Sequence, residues 1–154
     1  METVGTAIIS GTIYDTGKIL SVNSNFCKIL KYDKVDLIKS NINKIVPPYI
    51  SDFHNKFILN YIETERKHIL DKIRILYAID NSGFIIPVQI YVKIIPNLDY
   101  DIRFIGLLKN VDSNNHIFET TEETKNLPVS FIFTKKNGTI FAINNEVTYL
   151  LTST

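Results

Sequence analysis

The chain has 154 residues, 45% of them apolar and 21% charged, with a formal net charge of +1. That length suits one domain plus a fragment, with enough chain for a real core. The near-neutral balance argues against nucleic acid or an anionic membrane surface as a partner. A single cysteine, Cys27, excludes an internal disulfide framework and a cysteine metal site. No apolar run reaches the roughly 18 residues that span a bilayer, so direct membrane insertion is not expected. The opening METVGTAIISG lacks the basic-then-apolar order of a secretory signal. A cytoplasmic setting, alone or as part of a larger protein, is the expectation.

Ala7 to Tyr14 (AIISGTIY) is apolar and β-branched and is followed by Asp15-Thr16-Gly17, which predicts a strand and a turn. Ile19 to Val22 is a second short strand. Asn23 or Ser24 can cap a helix carrying Phe26, Cys27, Ile29 and Leu30. Asp33 is a further cap before Val35, Leu37 and Ile38. Ile42, Ile45 and Val46 make an apolar patch that Pro47-Pro48 stops.

Ser51 or Asp52 is expected to cap a longer helix ending near Thr64. His54, Phe57, Ile58 and Tyr61 fall at i, i+3, i+4 and i+7, so they share one face, and Lys56, Asn60 and Glu63 lie on the wetter side. Ile69 to Ile79 reads as a strand. Parity puts Ile73, Ile75, Tyr77 and Ile79 on one face and Lys72, Arg74 and Leu76 on the other. Burying Lys72 unpaired is costly, so the isoleucine face is expected inside and Arg74 in water; a bulge would reconcile the alternatives.

Asn81-Ser82-Gly83 makes a hairpin turn with Gly83 at positive φ. From Ile85 to Ile95, Ile86, Val88, Ile90, Val92 and Ile94 alternate with Gln89, Tyr91 and Lys93. Pro87 sits near the strand start, where a missing N–H is tolerated, above all on an edge. Pro96 to Asp101 is a turn, and Arg103 to Val111 is the last strand of the unit.

The following polar, acidic run reads as a linker. Then the pattern restarts: TGKILSVNSNFCKIL returns as NGTIFAINNEVTYLL. Gly17, Ile19, Asn23 and Leu30 match Gly138, Ile140, Asn144 and Leu151 at one constant offset. The expected organisation is a domain over 5–112, a linker over 113–126, and an incomplete second repeat over 127–154.

The order strand, strand, short helices, longer helix and three antiparallel strands resembles the PAS fold. GKILSVNSNFCKILKYDKVDLI resembles the family's opening, DNSGFIIP its D-G-x-x-x-P hairpin, and GLLKNV its closing strand. The resemblance implies an α+β domain with a five-stranded antiparallel sheet and short helices on one face. The tandem pattern with VPPYISDFHNKFILNYIET also resembles PAS segments of large protist proteins of the tiny-macrocysts type. The run from Val46 to Pro87 resembles, more distantly, the haem-binding PAS domains of bacterial oxygen-sensor histidine kinases. That likeness implies His54 as iron ligand, Arg74 as a contact to bound oxygen, and Ile69, Ile90 and Val92 as apolar pocket positions.

Read from the residues alone, His54 is a core histidine bonded to a nearby carbonyl or side chain, and this plainer reading is preferred to haem. Flavin-binding light sensors of this fold carry their reactive cysteine just before the central helix. Residues 41–48 hold none, so flavin chemistry is not expected and Cys27 reads as a small core residue. His68 and His116 sit in polar surroundings and read as surface residues. Lys135-Lys136 is too sparse for a nucleic-acid patch, and Asp99-Tyr100-Asp101 too sparse for a calcium loop. No phosphate-binding glycine loop or nucleophilic triad is present, so an enzyme is not expected.

The expected function is a regulatory PAS module. Its helix face (His54, Phe57, Ile58, Tyr61) and inner sheet face (Ile86, Val88, Ile90, Val92) would enclose a small apolar pocket. Protein partners or a homodimer would use the sheet face and linkers. The alternative is a structural interaction domain without ligand, with Gln89, Tyr91 and Tyr100 as contacts.

Overall fold

In the computed structural model, residues 4–64, 70–96, 101–111 and 130–152 are described. Strands β1 (Gly5–Ser10), β2 (Ile19–Val22), β3 (Ile73–Ile79), β4 (Ile85–Pro96) and β5 (Ile102–Asn110) form one antiparallel sheet in the order β2-β1-β5-β4-β3. Helices α1 (Ser24–Leu30), α2 (Lys34–Leu37) and α3 (Pro48–Thr64), with a 3-10 turn at Ile42–Ile45, intervene between β2 and β3. A separate hairpin, β6 (Ile132–Thr134) with β7 (Ile140–Ile143), leads into α4 (Asn145–Thr152). The expected five-stranded α+β architecture is present. Among the described residues no helix is long and apolar enough to cross a membrane.

The core lies where α1, α2 and the 3-10 turn meet the sheet. Phe26, Ile29, Leu30, Leu37, Ile42 and Ile45 pack there against Ala7, Ile19, Val22, Ala78, Val88 and Leu108. Asn23 organises the opening. Its Oδ1 caps α1 by accepting from Phe26 N at 2.9 Å, and also accepts from Thr6 N at 2.9 Å. Asp80 ties the far end. Its Oδ1 accepts from the backbone N–H groups of Ser82 and Phe84, and its Oδ2 takes a 2.6 Å bond from Lys31 Nζ. Gly83 holds φ +85 in that turn.

Several details differ from expectation, among them the start of β3 at Ile73 rather than Ile69. The first strand stops at Ser10 rather than Tyr14, because the chain turns at Gly11, where a Cβ would lie 2.7 Å from the Phe104 ring. Thr16 Oγ1 closes that turn on Thr12 O at 2.7 Å, leaving Ile13 and Tyr14 in solvent. Helix α3 begins at Pro48 and not after a Ser51 or Asp52 cap, since proline is well suited to a first helical position, where no N–H is needed. Pro87 lies on an interior strand. Its carbonyl faces Val111 N, beyond the Val88↔Asn110 pair that opens the β4–β5 ladder, so its missing N–H breaks no ladder bond.

The second hairpin has the strand register of the first. Ala7↔Val22, Ile8↔Ser21 and Ile9↔Ile19 correspond to Ile132↔Ile143, Phe133↔Ala142 and Thr134↔Ile140, with the register shift at the same step. Asn144 exchanges backbone and side-chain bonds with Phe131 as Asn23 does with Thr6. Gly17 and Gly138 hold φ +80 and +83 at equivalent turns. The expected linker, over 113–126, lies outside the described residues.

Candidate functional site

Helix α3 crosses the helix-bearing face of the sheet without a single buried residue. Ser51, His54, Asn55, Ile58, Leu59, Tyr61 and Ile62 are half-buried. Ile58 reaches the core cluster, and the Tyr61 ring meets Phe104 edge-on at 6.1 Å. Phe57, expected on this face, is 58% exposed. The sheet-facing stripe is centred on Asn55, Ile58 and Ile62, and Phe57 stands about 100° around the helix from Ile58. His54, Ile58 and Tyr61 are thus brought together, and Phe57 is not.

His54 Nδ1 is buried and has no hydrogen-bond partner among the described residues. Burial alone lowers the imidazole pKa below its ordinary value, which favours the neutral ring. The expected bond to a nearby carbonyl or side chain is therefore not formed at Nδ1. The same observation bears on haem. A ligating histidine normally fixes its second ring nitrogen on an acceptor, and Nδ1 has none among the described residues.

The strand register corrects the placing of Arg74. Ala78 is 4% exposed in the core and pairs with Ile86; Leu76 pairs with Val88, and Arg74 with Ile90. Directly opposed residues share a face, so Arg74 stands on the inner face and Ile73, Ile75, Tyr77 and Ile79 on the outer one. The cost of burying Lys72, which pointed to the isoleucine face, does not arise, because Lys72 lies before the strand. Burial falls away toward Ile73, at 67% exposure, so Arg74 stays exposed without leaving the inner face. Lys72 precedes the strand and is exposed. Ile69 lies outside the described residues.

On the inner face β4 and β5 run side by side. Ile90 pairs with Leu108, and Val92 with Gly106, which pairs in turn with Ala7. Among the described residues a Cβ on Gly106 would meet no atom within 4 Å, and Ile90 and Val92 are only half-buried although they sit on an interior strand. Gly106 and Phe104 lie on the same face and were not among the expected pocket positions. A lone glycine inside a strand pattern is the signal that could have found Gly106. Phe104 had no signal of its own, because its meeting with Tyr61 depends on the β1–β5 pairing. Two cavities, of about 500 and 390 Å³, lie elsewhere, along α1 and α2. Both are broad surface hollows that include no inner-face strand residue.

The model of the PAS domain family matches residues 5–113. A probable serine/threonine-protein kinase of Dictyostelium discoideum is 30% identical over 109 residues, which is 71% of this chain but 7% of that kinase. The PAS domain of a Desulfitobacterium hafniense protein has a TM-score of 0.54 at 16% identity, covering 72% of this chain and 94% of that one. The PAS domain of an HTR-like protein from Haloarcula marismortui has a TM-score of 0.52 at 16% identity, covering 70% and 81%. With its sheet order, its Asp80–Gly83 turn and this match over most of its length, the chain belongs to the PAS domain family.

Proposed function

We propose that this PAS domain is a sensor that takes a small apolar ligand over Gly106, between the inner sheet face and α3. The single observation that carries the reading is the open inner face at Gly106, Ile90 and Val92 beneath a helix with no buried residue. Such a site is apolar with few polar groups, His54 Nδ1 being one. A ligand that fills it draws α3 onto the sheet and biases the helix toward one position. The module is regulatory rather than catalytic, in a cytoplasmic setting. Residues 130–152 are read as the opening of a second repeat, supported by the matching register and asparagine bonds.

The test is native mass spectrometry of the purified protein, with line broadening of α3 amides on titration of small apolar compounds. Retained or added ligand that protects α3 supports the reading. A Gly106→Leu variant that folds and binds equally well would overturn it. A Soret band after haem addition, lost in His54→Ala, would replace the apolar ligand by haem.

A second reading, a docking module without ligand, is favoured by the outer sheet face. Ile73 and Ile75 are exposed there, beside Tyr91 and Gln89 on β4. Concentration-dependent self-association abolished by Ile75→Lys, with no ligand uptake, would favour it.

A further inference from the structure

The second hairpin is seated on the first unit by aromatic rings. Phe133 lies between Tyr49 and Tyr77, at 6.1 Å and 5.0 Å between ring centroids. Phe141 meets Tyr49 at 5.2 Å, and Phe131 meets Tyr77 at 5.7 Å. Edge-to-face geometry dominates, as the ring quadrupoles favour. Tyr49 belongs to the first turn of α3, and Tyr77 to the outer face of edge strand β3. Phe131, just before β6, and Phe133 on it lie on one face, opposite the 52%-exposed Ile132. Phe141 is the residue that the register shift leaves without a partner between Ile140 and Ala142. One face of the hairpin is therefore committed to the first unit and the other is left open.

We propose that Phe133, wedged between Tyr49 and Tyr77, makes residues 130–152 a docked relay that reports the position of α3. Tyr49 rides on the same helix as Ile58, which packs against the core cluster, and Tyr61, whose ring meets Phe104 on the inner sheet face. Tyr77 is anchored to β3, whose next residue, Ala78, is in the core. Phe133 thus bridges one element free to shift and one held fast. Movement of α3 toward the sheet changes the Tyr49–Phe133 and Tyr49–Phe141 contacts and leaves the Tyr77 contacts in place, so the hairpin tilts about Tyr77. The relay role rests on the sensor reading; the dock does not.

Hydrogen exchange on the full chain without ligand tests it. Phe133→Ala is expected to speed exchange of the amides from Asp52 to Phe57 by roughly three- to tenfold, the size of the lost ring contacts, with β4 and β5 unchanged. Ile132→Ala, on the opposite face of the same strand, is expected to leave α3 unchanged. Unchanged α3 exchange in Phe133→Ala overturns the proposal. So does equal acceleration in Ile132→Ala, which would mark loss of the hairpin rather than of the dock. Failure of ligand uptake would sink the sensor reading and leave this result standing.

Discussion

Ile19 and Ile140 occupy equivalent places in two hairpins of identical register, yet Ile19 is fully buried and Ile140 is 57% exposed. In the first unit α1, α2, the 3-10 turn and a five-stranded sheet complete the core around the position; among the described residues the second hairpin is a two-stranded sheet followed by α4 alone. Ile19→Ala should therefore lower unfolding free energy by about 2–5 kcal/mol in urea denaturation, the usual cost of a large-to-small change in a packed core. Ile140→Ala should cost less than about 1 kcal/mol, as exposed positions do. Equal losses would mean that the second hairpin's open face is covered in solution.

Asp80 joins α1 to the β3–β4 turn through three bonds from one buried carboxylate. Asp80→Ala should cost about 2–4 kcal/mol, because two turn N–H groups and Lys31 lose a charged acceptor together. Asp80→Asn, which keeps the Oδ1 acceptor, should cost about half of that. Lys31 is half in water, so Lys31→Ala should cost only about 1 kcal/mol. Thermal melts of the three variants check the order; a Lys31→Ala loss as large as that of Asp80→Ala would refute it.

His54 gives the fold a pH dependence of definite sign. Its folded pKa is lowered by burial, so the unfolded chain takes up the proton first as pH falls. Stability is complete above about 6.5, the unfolded value, and declines as pH drops from there toward the folded pKa. The slope in that window is at most about 1.4 kcal/mol per pH unit for one proton. His54→Gln should flatten the curve of melting temperature between about pH 5 and about pH 7. A variant with the same slope as the wild type would place the titration elsewhere.

Two glycines should respond in opposite ways. Gly106 has ordinary backbone and open space around it, so Gly106→Ala should be neutral or add up to about 1 kcal/mol by stiffening the unfolded chain. Gly17 holds φ +80, and a Cβ there would lie 2.7 Å from Asn55 Oδ1, so Gly17→Ala should cost more than about 1 kcal/mol. Denaturant midpoints of the pair decide the matter. A destabilised Gly106→Ala would mean that the inner face is filled there.

The alternation of Ile86 to Ile94, the Asp80–Gly83 turn and the Asn23 cap were all legible in the residues. Each depends on contacts between near neighbours or on strict periodicity. The side chosen by Arg74 was not legible, because parity divides a strand into two faces without saying which one meets the core. Nor was the exposure of Phe57, since α3 carries apolar residues over more than half its circumference and only its seat on the sheet selects the stripe.

What the residues determine by themselves is the kind of domain: local signals of turn, cap and alternation agree in order, and together they admit one topology. Tertiary structure alone decides where that topology is filled and where it is left open. The meeting of Tyr61 with Phe104 and the seat of Phe133 between Tyr49 and Tyr77 each join segments far apart along the chain. Such meetings depend on how a helix settles over a sheet, and no spacing along the sequence encodes that distance.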